Sequence, residues 1–275
     1  MSKSRVNRTA AMNAIDQLFS RLKADRRKAF IPFVTAGDPD LDTTAKLVRE
    51  MVQRGASLIE VGFPYSDPIA DGSVIQASYT RALTKGLTID SIFGAVRGLG
   101  EVRVPLACMV SYSLVHHRGL ERFVRDALDA GFSGAIVPDL PVEEAGELVT
   151  LAAKHDFKLI LLVTPTTPRE RARKIAQFST GFLYYVSVVG ITGERSQLPP
   201  ELLDQLRWLR TQTTLPVCVG FGISTPEHVR TLRDWVDGVI VGSAIIRRLE
   251  ADKPIDAIVN GVGKLVAELS APLRA

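Results

Sequence analysis

Eight times between Phe30 and Val241, a short apolar run rich in β-branched residues gives way to a loop bearing Gly, Pro or Asp. Each of these loops leads into a segment of helical periodicity. The runs are Phe30–Thr35, Ser57–Gly62, Pro105–Tyr112, Ala135–Asp139, Lys158–Thr164, Phe182–Ser187, Pro216–Phe221 and Gly238–Val241. Helical patterns lie between them at Leu41–Arg54, Ile89–Leu99, Leu120–Ala130, Val142–His155, Arg169–Phe178, Pro200–Thr211 and Thr225–Asp234. Strands separated by helices pair in parallel, because a parallel connection has to cross back over the sheet. Near-continuous apolar character suits strands covered on both faces. Five to seven such units would build an open doubly wound sheet equally well. The count of eight, with no Gly-x-Gly-x-x-Gly after the first run, favours an α/β chain folded as a single (β/α)8 TIM barrel.

Two additions to the plain repeat are predicted: an extra N-terminal helix around Asn13–Lys23, capping the barrel floor, and a helical insertion, Val74–Leu83, after the second run. A last helix is expected over Asp252–Leu269. Barrels of about 250 residues are routinely one domain, and no linker or low-complexity tract divides this chain of 275 residues, so residues 1–275 read as one domain with 1–12 as a flexible tail. The segment Met1–Ile15 lacks acids and carries Lys3, Arg5 and Arg8; an organellar transit peptide is its other reading.

With 46% hydrophobic and 23% charged residues, the chain can bury a large core and is not disordered. The net charge of +4 invites a nucleic-acid reading, but the basic residues are interleaved with acids, as in Arg118–Arg125 and Arg230–Asp237. Dispersed charge of that kind is a solvated helix face, so no nucleic-acid partner is expected; a mild positive bias also suits a small anion. No apolar stretch approaches the roughly 18 residues of a membrane span. Cys108 and Cys218 sit inside apolar runs and read as buried thiols of a reducing compartment, which points to the cytoplasm.

Candidate chemistry begins at Ser57–Gly62. Side chains alternate along a strand, so Ile59 and Val61 facing the helices turn Glu60 into the barrel, near the strand end where barrel enzymes build their sites. A carboxyl there loses hydration, and its pKa rises toward the value a general acid needs. A structural ion pair is the other reading of such a residue. The following loop, Gly62–Gly72, holds two prolines and two aspartates, and it can bring Asp71 over the barrel mouth; Asp67 and Asp71 read equally as caps of the next helix. Glycine motifs follow the sixth, seventh and eighth runs: Gly190–Gly193, Gly220–Ile223 and Val241–Ala244. Glycines let backbone N–H groups approach an anion, and Ser243 adds a hydroxyl, so together they suggest a phosphate grip.

The stretch Ile59–Gly72, reading Ile-Glu-Val-Gly-Phe-Pro-Tyr-Ser-Asp-Pro-Ile-Ala-Asp-Gly, resembles the signature of the tryptophan synthase α subunit family. Pro32–Pro39, Val137–Pro141 and the three late glycine motifs match it in the family's order, so the resemblance covers most of the chain. It implies a carbon–carbon lyase that cleaves indole-3-glycerol phosphate to indole and D-glyceraldehyde 3-phosphate. Carried over residue by residue, it implies catalytic roles for Glu60, Asp71 and Tyr184. Phe33 would pack on the indole ring; Gly193, Gly222, Gly242 and Ser243 would hold phosphate. Thr192, on a lid spanning Val188–Pro199, would position Asp71. It further implies a β subunit partner, in an α2β2 assembly, that carries pyridoxal phosphate; this chain needs no cofactor of its own. The segment Met109–Arg118 departs from the family's Tyr-x-Asn-Pro-like pattern, and Leu114 and Val115 beside His116 and His117 read as a different docking surface or a variable loop.

Other residues carry no functional expectation. Adjacent His116 and His117 cannot face one metal from one helix face, and no metal site is expected. Trp208 and Trp235 read as packing, Tyr185 as facing away from Tyr184, and the basic groups Arg171–Lys174 and Arg247–Arg248 as solvated, the latter also placed to attract an anion. Two further functions are consistent with the same fold: a catalytically weak module that binds and activates a partner, and a sugar-phosphate isomerase whose base lies on other strands. Fold alone does not separate them from a lyase.

Overall fold

In a computed structural model of the chain, which describes residues 12–68, 71–187, 200–220, 222–249 and 253–274, the apolar runs lie side by side in chain order. The strands are β1 (Ala29–Thr35), β2 (Ile59–Gly62), β3 (Leu106–Met109), β4 (Phe132–Ile136), β5 (Lys158–Ile160), β6 (Leu162–Val163), β7 (Leu183–Val186), β8 (Val217–Gly220) and β9 (Gly238–Val241). Every pairing is parallel, and β1 lies between β2 and β9. β5 and β6 are two halves of the fifth predicted run, interrupted only at Leu161. The first half pairs with β4 through Ile136 and Ile160, and the second with β7 through Leu162 and Tyr184. One broken strand thus joins both ends of the sheet, and the eight runs close into a barrel.

Some boundaries differ from expectation. The third run, predicted over Pro105–Tyr112, ends as a strand at Met109, and the segment expected as a loop forms a helix over Tyr112–Arg118. Asp139 drives that ending: its carboxylate accepts the Ser111 hydroxyl at 2.6 Å and the Tyr112 backbone N–H at 2.7 Å, offering the backbone a helix start in place of the ladder. The fourth run, predicted over Ala135–Asp139, shifts back to Phe132–Ile136. Gly131 adopts φ +107° as it ends the preceding helix and delivers the chain directly into the strand, while Pro138 has no N–H to give a ladder. The helix predicted from Val142 starts at Gly146, the last helix runs Ile255–Ser270, and a short helix not foreseen, Ser243–Leu249, grows out of the last glycine motif. The insertion after β2 is the helix Ser73–Leu83, within a residue of expectation.

Alternation along the strands sorts the core into two layers. Phe30, Val34, Ile59, Val61, Tyr185 and Val219 pack under the helices, whereas Ile31, Leu58, Ile136, Tyr184, Cys218 and Ile240 point into the barrel. The N-terminal helix, Ala14–Ala24, buries Ile15, Leu18, Phe19 and Leu22 against that interior set, with the rings of Phe19 and Phe182 5.7 Å apart. It stoppers the floor as predicted, and Asn13 fastens it there. The Asn13 side chain accepts from the Ile15 N–H at 2.8 Å and donates to the carbonyls of Ser133 (3.0 Å) and Asp156 (2.6 Å). Residues 1–11 of the expected tail lie outside the described residues.

Replacing Asn13 with Ala removes the cap and strands two carbonyls. Losses of this kind total about 2 kcal/mol, so Asn13→Ala should melt roughly 4–8 °C below the parent; an unchanged melting temperature in thermal unfolding would show that the stopper is held by its apolar face alone.

Candidate active site

Leu58, just before β2, faces the interior, and on the strand Ile59 and Val61 face the helices, which leaves Glu60 pointing into the barrel. It sits in register with Phe33 on β1 and Ala107 on β3, and it is 1% exposed. Among the described residues no ion pair compensates it and Glu60 Oε2 has no hydrogen-bond partner, so the reading as a structural ion pair finds no support there. Burial, reinforced by the charge of Asp71, raises its pKa from 4.5 to about 8. At neutral pH the side chain is a carboxylic acid with a proton to give.

Asp71 comes back over this group from the loop after β2. Neither aspartate caps the helix Ser73–Leu83, whose N-cap is Gly72 without a side-chain bond; Asp67 points to solvent. Two residues of the same region pin Asp71. Gln76 Nε2 donates to the carbonyls of Asp71 (2.8 Å) and Pro68 (3.1 Å), fixing the backbone, and the Tyr65 hydroxyl bonds the carboxylate. Tyr65 in turn leans on the buried ring of Tyr79 at 5.6 Å. Burial raises the Asp71 pKa to about 6, with Tyr65 pulling it down and Asp139 pushing it up. Tyr65, Gln76 and Tyr79 were missed in the sequence. The signal was there for Tyr79, a phenol spaced with Ile75 and Ala82 on the apolar face of a helix that follows a loop of carboxylates.

Both carboxyls open onto one cavity of about 860 Å³ at the C-terminal ends of the strands. Phe33, Tyr184, Gly222, Gly242 and Ser243 line it with them. Two absent side chains make this geometry. A Cβ on Gly62 would overlap the Phe33 ring, and one on Gly220 would overlap the Tyr184 hydroxyl. The predicted site residues Glu60, Asp71, Tyr184, Phe33, Gly222, Gly242 and Ser243 are therefore brought together. Thr192 and Gly193, with the expected lid Val188–Pro199, lie outside the described residues.

Among the described residues no group of three or more His, Cys, Asp or Glu side chains converges as a metal site would. His116 and His117 are exposed, and Cys108 and Cys218 are buried thiols whose pKa burial pushes up. Tyr185 packs outward and bonds Gln205. Trp208 lies under Arg169 and Arg173, and Trp235 under Arg207. Arg247 and Arg248, by contrast, line the cavity.

The chain is similar to known proteins over most of its length. The family model described as tryptophan synthase alpha chain matches residues 19–270. A tryptophan synthase alpha chain of Rhodopirellula baltica is 52% identical over 242 residues, covering 86% of this chain and 87% of the relative. Another, from Rippkaea orientalis, is 44% identical over 96% of this chain and 99% of its own length. Among solved structures, tryptophan synthase subunit alpha of Legionella pneumophila superposes with a TM-score of 0.87 at 36% identity, covering 96% of this chain and 99% of its own. A chain of the tryptophan synthase complex of Pyrococcus furiosus does so at 0.81 and 34% identity, covering 88% and 98%.

The buried acid has a stability signature. Between pH 4.5 and about 8 the unfolded chain has released the Glu60 proton while the folded chain keeps it. The unfolded state then binds fewer protons, so stability falls as pH rises through that window. Glu60→Gln, which cannot ionise, should melt roughly 10 °C or more above the parent at pH 8.5 and close to it at pH 4.5; parallel melting curves at both pH values would place the Glu60 pKa near its ordinary value.

Proposed function

The chain belongs to the tryptophan synthase alpha chain family, and on that premise we propose that Glu60 and Asp71 divide the proton transfers of its reaction between them. The enzyme is a lyase that cleaves indole-3-glycerol phosphate to indole and D-glyceraldehyde 3-phosphate, the alpha reaction of tryptophan biosynthesis, and it works with a beta subunit. The observation that carries the division of labour is the pair of unequal carboxyls on one cavity: one buried and protonated, the other partly wet and ionised.

Neutral Glu60 donates its proton to C3 of the indole ring. The electrons of the C2–C3 double bond form the new C–H bond, the ring nitrogen becomes an iminium, and Asp71 stabilises its N–H as charge develops. The Glu60 carboxylate then takes the proton of the adjacent side-chain hydroxyl. The O–H electrons form the aldehyde, the carbon–carbon bond breaks toward the ring, and indole leaves neutral with Glu60 protonated again. Phe33 packs on the ring, and Tyr184 closes the wall beside it. Gly193, Gly222, Gly242 and Ser243 hold the phosphate; Thr192 positions Asp71 when the loop Val188–Pro199 closes and excludes water. Each step runs on side chains of this chain, and pyridoxal phosphate belongs to the beta subunit of an α2β2 assembly. No helix among the described residues is long and apolar enough to cross a membrane, and we place the enzyme in the cytoplasm with its pathway.

Release of indole from indole-3-glycerol phosphate, with and without a beta subunit, tests the assignment. Glu60→Gln and Asp71→Asn should each cost about 10²–10⁴-fold in kcat, and near-parent rates in either would remove that residue from the mechanism. The pH profile is a second check. Asp71 must be ionised and Glu60 protonated, so kcat/KM should climb through about pH 6 and fall above about pH 8; a profile flat across that range would separate the chemistry from this pair.

A further inference from the structure

The cavity runs on past the glycine grip. Beside Gly222 and Ser243 it is lined by Ser224, Thr225, His228, Arg247 and Arg248, and among the described lining residues the acids are Glu60 and Asp71. Arg247 stands one turn after Ser243 on the helix Ser243–Leu249, so the two share a face, and helical side chains lean toward the N-terminus. Its guanidinium is therefore directed back toward Ser243. Across the cavity, His228 Nδ1 accepts the Ser224 backbone N–H at 3.4 Å, which leaves Nε2 as the ring's donor.

What distinguishes the two arginines is that they are unspent. Neighbouring guanidiniums are paired: Arg230 with Glu227, Arg233 with Asp234, Arg210 with Asp237. Arg247 and Arg248 have no hydrogen-bond or ion-pair partner among the described residues, although both are exposed and line the site. The glycine grip supplies only N–H dipoles and a hydroxyl, while a phosphate monoester brings nearly two negative charges at neutral pH.

We infer that Arg247 and Arg248, with His228 opposite, form the charge-bearing outer half of the phosphate subsite and select for a dianionic phosphate monoester. This rests on the lyase reading, in which the grip takes the substrate's phosphate. Guanidiniums on a rim act on capture and on its salt dependence more than on the chemical step.

Calorimetric titration with glycerol 3-phosphate, at low and physiological ionic strength, tests it. Arg247→Ala/Arg248→Ala should bind the probe roughly tenfold more weakly, about 1.4 kcal/mol, with a shallower salt dependence. Arg247→Lys/Arg248→Lys should recover part of the loss, and in the lyase assay the Ala pair should lose kcat/KM through KM. Because both side chains are exposed, the melting temperature reports any misfolding separately. Parent-like affinity and salt dependence in the Ala pair, with indole release intact, would overturn this inference alone. Failure of the parent itself to bind glycerol 3-phosphate would overturn the phosphate grip of the lyase reading along with it.

Discussion

Eight parallel runs have to meet edge to edge, and the last join is made by Lys158–Val163, which bonds β4 with its first half and β7 with its second. The break at Leu161 lets one short segment serve two neighbours whose directions diverge as the sheet curls. Once that join is made, the inward faces of all strands see only one another. Position 60 is then almost fully buried at the base of the cavity, and a residue that would be an ordinary surface acid on an open sheet becomes a neutral one. The acid chemistry is a consequence of closure.

The two carboxyls differ because their supports differ. Glu60 is held by a strand in register with Phe33 and Ala107 and has nothing polar against Oε2. Asp71 is held by a loop and given hydrogen bonds at both its backbone and its side chain, through Gln76 and Tyr65. Asp139 links this arrangement to the rest of the mouth: it caps the helix Tyr112–Arg118 and adds negative charge near Asp71. One carboxylate thereby shapes a neighbouring loop and opposes ionisation of the catalytic one.

The strand-and-helix rhythm, the floor helix and the inward turn of Glu60 were legible because each depends on local periodicity or on alternation along a single strand. The end of β3 and the start of β4 were not: the first is set by Asp139, far along the chain from the run it closes, and the second by the left-handed turn at Gly131, which brings the strand in earlier than its apolar run suggests. The site divided in the same way. The Glu60–Asp71 segment stood out as a motif, whereas Tyr65, Gln76 and Tyr79 act through contacts that only the folded insertion creates. Gly62 and Gly220 were legible as glycines but not as the spaces that Phe33 and Tyr184 occupy. Arg247 and Arg248 read as solvent-facing because their lack of acidic partners is a property of the assembled mouth.

The helix that stoppers the floor closes the bottom of the reaction chamber and leaves its cavity to open at the strand ends. Indole is apolar and glyceraldehyde phosphate is a dianion, yet both must leave past the same rim of loops at the strand ends. Traffic through one opening has to be sorted by chemistry, with the anion drawn toward the basic flank and the ring passing over the apolar and aromatic one. Whatever seats itself on that rim therefore governs entry, exit and the fate of the apolar product together.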